Sequence, residues 1–116
     1  MEEKQKLVGL LKLYTEKATN FDKLVTMPVV DDGGENSLNL SRYHAYKAIA
    51  EIIERYQRGD FRKRAWNEPP YGFAAVIKIV SDLMSACGEE SSNERVKFEI
   101  YRQALSDLEA IGDLID

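Results

Sequence analysis

The sequence predicts an all-α domain, an antiparallel four-helix bundle-like fold, from three observations. Four stretches carry apolar residues at alternating spacings of three and four, the period of one helix face. The breaks between them hold the proline, glycine and capping residues that start and stop helices. Two of the connections are short, which favours antiparallel neighbours crossing at a shallow angle. With 116 residues, 44% of them apolar, the chain is long enough to fill a single core, so one domain over 1–116 is expected.

The first helix is expected over about 2–26, with Leu7, Leu11, Tyr14, Ala18, Phe21 and Val25 on one stripe. Pro28 disfavours helix at Met27, and the acidic, glycine-rich run Asp31-Asp32-Gly33-Gly34-Glu35-Asn36 reads as part of a loop at about 27–40. A second helix over about 41–58 can start at Asn39 or Ser41, whose side-chain oxygens can cap open backbone amides. Its stripe is Ala45, Ile49, Ile52 and Tyr56, and Gly59 is its stop. Asn67-Glu68-Pro69-Pro70 breaks the pattern and leads into a third helix at about 71–87.

That third helix carries Phe73, Ile77, Val80, Met84 and Cys87 on one face. Val76, Ile79 and Leu83 form a second stripe, more apolar surface than one face against a core requires, so it is expected to be covered on more than one side, by its own chain or by a partner. The fourth helix, about 92–115, opens with Ser91 and Glu94 in capping-box spacing and turns Tyr101, Ala104, Leu108, Ile111 and Ile115 inward.

Charge divides the chain unevenly beneath its net value of -4. Residues 1–54 hold 7 basic and 9 acidic groups, residues 55–66 hold 5 and 1, and residues 67–116 hold 4 and 10. An acidic protein repels nucleic acid and anionic membranes at long range, so any such contact must run through the middle segment. No apolar run reaches membrane-spanning length, and the N-terminus lacks a signal-peptide pattern, which predicts a cytoplasmic protein without membrane contact. Cys87 is the only cysteine, which excludes an internal disulfide and a cysteine-based zinc site.

The middle segment interleaves Arg55, Arg58, Arg62, Lys63 and Arg64 with Tyr56, Phe61 and Trp66, a mixture that can bind anions and stack on planar groups. Glu51 with Arg55 and Glu54 with Arg58 stand at i, i+4 spacing and are expected to pair on the helix. Glu51 and Glu54 also form an E-x-x-E pair similar to one in the all-helical nucleotide pyrophosphohydrolases, which hold magnesium with carboxylates. Those enzymes need a second acidic pair on a neighbouring helix, and here the third helix offers only Asp82. The 27–40 loop lacks the alternation of a calcium-binding loop. His44 has no catalytic companion at a telling spacing, and Cys87 closes an apolar stripe as a small core residue.

The function expected from these features is that of a non-enzymatic intracellular interaction module, an adaptor, inhibitor or regulatory subunit. Arg58, Arg62, Lys63, Arg64 and Trp66 would serve for partner or anion binding, and Val76, Ile79 and Leu83 for self-association into a homodimer. No catalytic residue, metal ligand or cofactor is expected on this reading. A nucleic-acid-associated regulator using the 55–66 segment is the alternative, and a small metal-dependent nucleotide hydrolase using Glu51, Glu54 and Asp82 is the second.

Overall fold

A computed structural model describes residues 2–26, 35–66, 68–88 and 90–111. They form four helices and, among the described residues, no strand: α1 (Glu2–Thr26), α2 (Glu35–Gln57), α3 (Phe73–Ala86) and α4 (Ser92–Ile111). The chain is thus an all-α, bundle-like fold, with one hydrophobic core drawn from all four helices.

Three helix starts follow the sequence closely and one does not, while the expected end of the fourth helix at 115, with Ile115, lies outside the described residues. Ser91 caps α4 as its spacing predicts, its Oγ accepting from the Glu94 amide at 3.1 Å. Helix α3 begins two residues later than expected, behind Gly72, which takes a positive φ of 61°. Helix α2 begins at Glu35 rather than 41, so the expected 27–40 loop is shorter, and residues 27–34 with Asp31 and Asp32 lie outside the described residues. The polar side chains read as caps are used otherwise. Asn39 Oδ1 accepts from Arg42 at 2.7 Å, and Ser41 is buried. Ser37, at the start of α2, accepts through Oγ from Asn93 Nδ2 at 3.0 Å. That last bond brings the starts of α2 and α4 together, so these two helices run in the same direction.

The packing is a rhombus rather than a square. Helix α1 lies along α2, α2 also packs on α4, and α4 on α3, whereas the α2–α3 and α1–α4 contacts are slighter. Helices α2 and α4 therefore form the short diagonal and supply most of the core, with Ala45, Ile49, Ile52 and Ile53 facing Ile100, Tyr101, Ala104, Leu108 and Ile111. Leu7 and Tyr14 enter from α1, and Phe73, Val76 and Val80 from α3. The aromatic seam of α1 and α2 stacks Phe21 on Tyr46 at 5.7 Å, with Tyr14 5.8 Å from the same ring.

A polar link spans the thin α1–α4 contact. The buried Tyr14 hydroxyl donates to Asp107 Oδ2 at 2.8 Å, and Gln103 Nε2 donates to Asp107 Oδ1 at 3.0 Å. Burial first, and the Asp107 carboxylate second, hold the Tyr14 hydroxyl protonated well above its ordinary value of 10. Burial likewise raises Tyr101. The unfolded chain releases these protons near pH 10 while the fold retains them. The stability they contribute is therefore present below about pH 10 and lost as pH rises above it. Urea titrations at about pH 8 and about pH 11 are expected to show a lower midpoint at the higher pH, with a smaller drop in Tyr14→Phe.

Candidate interaction surface

The basic-aromatic segment is shaped by the way α2 ends. The Asp60 amide donates to the Arg55 carbonyl and the Gly59 amide to the Tyr56 carbonyl, both at 3.0 Å, the paired bonds of a Schellman cap. This cap needs a left-handed residue after the helix, and Gly59 supplies it with a φ of 84°. The Arg62 side chain lies against that glycine, so an added Cβ would stand 3.0 Å from its Nε. Gly59→Ala is expected to cost about 1–2 kcal/mol, and Gly59→Asn less, as read from thermal melts.

Beyond the cap the chain is pinned twice more. The Arg62 amide donates to the Gly59 carbonyl at 3.2 Å, and the Gly72 amide donates to the Phe61 carbonyl at 2.7 Å, closing the base of the loop. Phe61 is half-buried against the core, with the Arg55 guanidinium 4.9 Å from its ring centre. This anchoring leaves Arg62, Lys63, Arg64, Ala65 and Trp66 exposed. Trp66 is 76% exposed, the most open of the large hydrophobic side chains described.

The charges are partnered differently from the sequence expectation. Arg55 and Arg58 both turn to Asp60, at 3.7 and 3.2 Å, and not to Glu51 and Glu54. Glu51 instead pairs with Lys47 at 4.0 Å. Arg64 donates from Nη2 to the Gly59 carbonyl at 3.2 Å and lies 5.9 Å from the Trp66 ring centre. The Lys63 ammonium stands 6.0 Å from the ring of Tyr71. Among the described residues, Lys63 and Arg64 thus face rings and a backbone carbonyl, with no carboxylate from α4 against them. Asp60 and Tyr71 were missed as members of this surface. Asp60 is the one acidic residue in the basic run, which is the signal that could have marked it.

The expected self-association stripe on α3 is narrower in the structure. Val76 is completely buried in the core, while Ile79 and Leu83 are half-buried and pack against it. Val76 is therefore corrected from a contact residue to a core residue. The apolar surplus of α3 arose because α4 covers one flank and α2 touches another.

The carboxylates of the hydrolase reading do not converge. Glu51 and Glu54 border a shallow groove between α1 and α2 with Asp22, Thr19 and Lys47. Asp82 stands on α3 and accepts from Lys78 at 2.8 Å. Among the described residues no three His, Cys, Asp or Glu side chains gather so as to hold a metal ion. His44 is exposed beside the Tyr43 ring. The Cys87 thiol is directed to the Leu83 carbonyl at 3.3 Å, and burial raises its pKa, which disfavours the reactive thiolate. No helix among the described residues is long and apolar enough to cross a membrane.

These features define a class, an all-α bundle-like domain whose second helix ends in a pinned, exposed basic-aromatic loop. No family model matches the chain, and neither a curated protein nor a solved structure matches it significantly.

Proposed function

We propose that the protein is a non-enzymatic interaction module that works inside the cell as an adaptor, inhibitor or regulatory subunit, and that it meets its protein partner through the loop 58–66. The observation that carries this reading is Trp66. An indole contributes little to the fold at 76% exposure, yet exposed aromatics flanked by arginine are the side chains that dominate binding energy at protein interfaces. Arg58, Arg62, Lys63 and Arg64 precede it on the same loop, with Arg64 5.9 Å from its ring centre, and the hydrogen bonds at the loop's base limit the ordering required on binding.

Nucleic acid is the less favoured partner. Outside residues 55–66 the chain carries 11 basic and 19 acidic groups, so a long polyanion laid across the loop would run onto repulsive surface. The test is a photo-crosslinking residue at position 66, compared with one at the exposed position 12 of α1, in extracts of the native cell. Discrete protein adducts at 66 and not at 12 support the reading. Adducts only with nucleic acid, or none specific to 66, refute it.

A further inference from the structure

We propose that the partner element recognised by this loop is a short acidic peptide segment carrying one large apolar side chain, with the apolar group against Trp66 and carboxylates on Lys63 and Arg64. This rests on the preceding reading of the loop as a protein-contact surface and names the chemistry of what it contacts.

Three features of the loop support this occupant. First, the loop already binds a carboxylate: Asp60 sits between Arg55 and Arg58 at 3.7 and 3.2 Å, an internal example of the ligand chemistry. Second, Lys63 and Arg64 have only π faces and the Gly59 carbonyl as their described partners, so no acid among the described residues neutralises their charge. An incoming carboxylate completes them without breaking an ion pair. Third, the apolar and cationic elements are adjacent in sequence and space. Arg64 lies 5.9 Å from the indole centre while Trp66 stays 76% exposed, which leaves indole surface for an apolar side chain.

The extent of the charge sets the size of the ligand. The positive region spans a single loop on an otherwise acidic chain, so it fits a few residues of peptide and penalises a long anionic strand. Asp60 has a second role in this scheme. It pairs with Arg55 and Arg58 in the free protein and, as a negative charge on the same loop, repels an incoming carboxylate, so removing its charge strengthens binding.

Trp66 is the sole tryptophan of the chain, so its emission reports on the site directly. The probes are a tryptophan-free peptide of about ten residues, rich in Asp and Glu with one Leu, its Asn/Gln analogue, and a single-stranded oligonucleotide of similar charge. The full chain titrated with the acidic peptide at about 50 mM salt is expected to show a saturable emission shift, weakened about fivefold or more at about 300 mM. The amide analogue should leave the emission unchanged. Lys63→Glu with Arg64→Glu, followed by anisotropy of labelled peptide, should weaken binding about tenfold or more while the chain keeps a cooperative melt, the lost Arg64–Gly59 bond lowering its midpoint by only a few degrees. Asp60→Asn, which keeps the backbone amide of the cap, should tighten it about threefold.

The proposal is overturned if the acidic peptide fails to bind at low salt, if the amide analogue binds equally well, if the oligonucleotide binds more tightly, or if the double charge reversal leaves affinity intact. Unchanged affinity in Asp60→Asn removes the repulsive role given to that carboxylate. Protein adducts at position 66 that persist while the acidic peptide does not bind would sink the peptide chemistry alone. Loss of the adducts themselves would sink the interaction reading beneath it.

Discussion

Val76→Glu is expected to abolish cooperative folding rather than to separate two subunits. The side chain is fully buried on α3, in the same core cluster as Phe73, Val80 and the inward face of α4. A glutamate there must enter the core protonated, carry an unpaired charge, or drive the helix away from α4. Each costs about 4 kcal/mol or more, a large share of the roughly 5–15 kcal/mol that stabilises a domain. Far-UV circular dichroism should show a non-cooperative melt for this variant at every protein concentration. Ile79→Glu, at a half-buried position, should retain helical signal with a smaller loss of melting temperature. A folded monomer of Val76→Glu replacing a wild-type dimer in light scattering would reinstate the α3 stripe as a subunit contact.

Ile53→Ala is the second large effect. Ile53 is fully buried in the C-terminal third of α2, the helix that packs on both α1 and α4, and belongs to the shared core cluster. Removing its outer carbons leaves a cavity that neighbours on rigid helices can only partly fill, at a cost of about 2–5 kcal/mol. The melting temperature should fall by about 10–20 °C. Trp66→Ala, by contrast, is expected to change stability by no more than about 0.5 kcal/mol. A drop from Trp66→Ala comparable to that from Ile53→Ala would mean that the indole belongs to the fold, not to a contact surface.

The comparison of Ile53 with its neighbours shows what periodicity can and cannot reveal. The three-four spacing picked out Leu7, Tyr14, Ala45, Ile49, Ile52, Ala104 and Leu108, all of them buried. It missed Ile53 and Ile100, because a narrow stripe describes a helix that faces one seam. Helices α2 and α4 form the short diagonal and bury a wider arc, which depends on how four helices are arranged and leaves no mark within either one.

The same limit accounts for the surface. Composition alone marked the 55–66 segment as basic and aromatic. Its pairing was misread because the i, i+4 rule looks only along a helix. The chain turns back at Gly59, and this turn carries Asp60 to both Arg55 and Arg58. Likewise Asn39 and Ser41 read as caps on local grounds, whereas α2 starts earlier and takes both inside, where Ser41 is buried and the Asn39 oxygen accepts from Arg42 one turn on. Local chemistry located the helices. The earlier start of α2 decided which polar side chains were left over for capping.

The cap at Gly59 also bears on the rate at which a partner could engage. A loop whose backbone is fixed at Gly59, Phe61 and Gly72 needs little conformational search at the moment of encounter. The surrounding acidic surface adds a directional preference, since an anionic ligand approaching from most sides is repelled and one approaching the loop is drawn in. Encounters are thereby oriented before contact, and salt should act mainly on the association rate, leaving the lifetime of the complex to the fit around the indole.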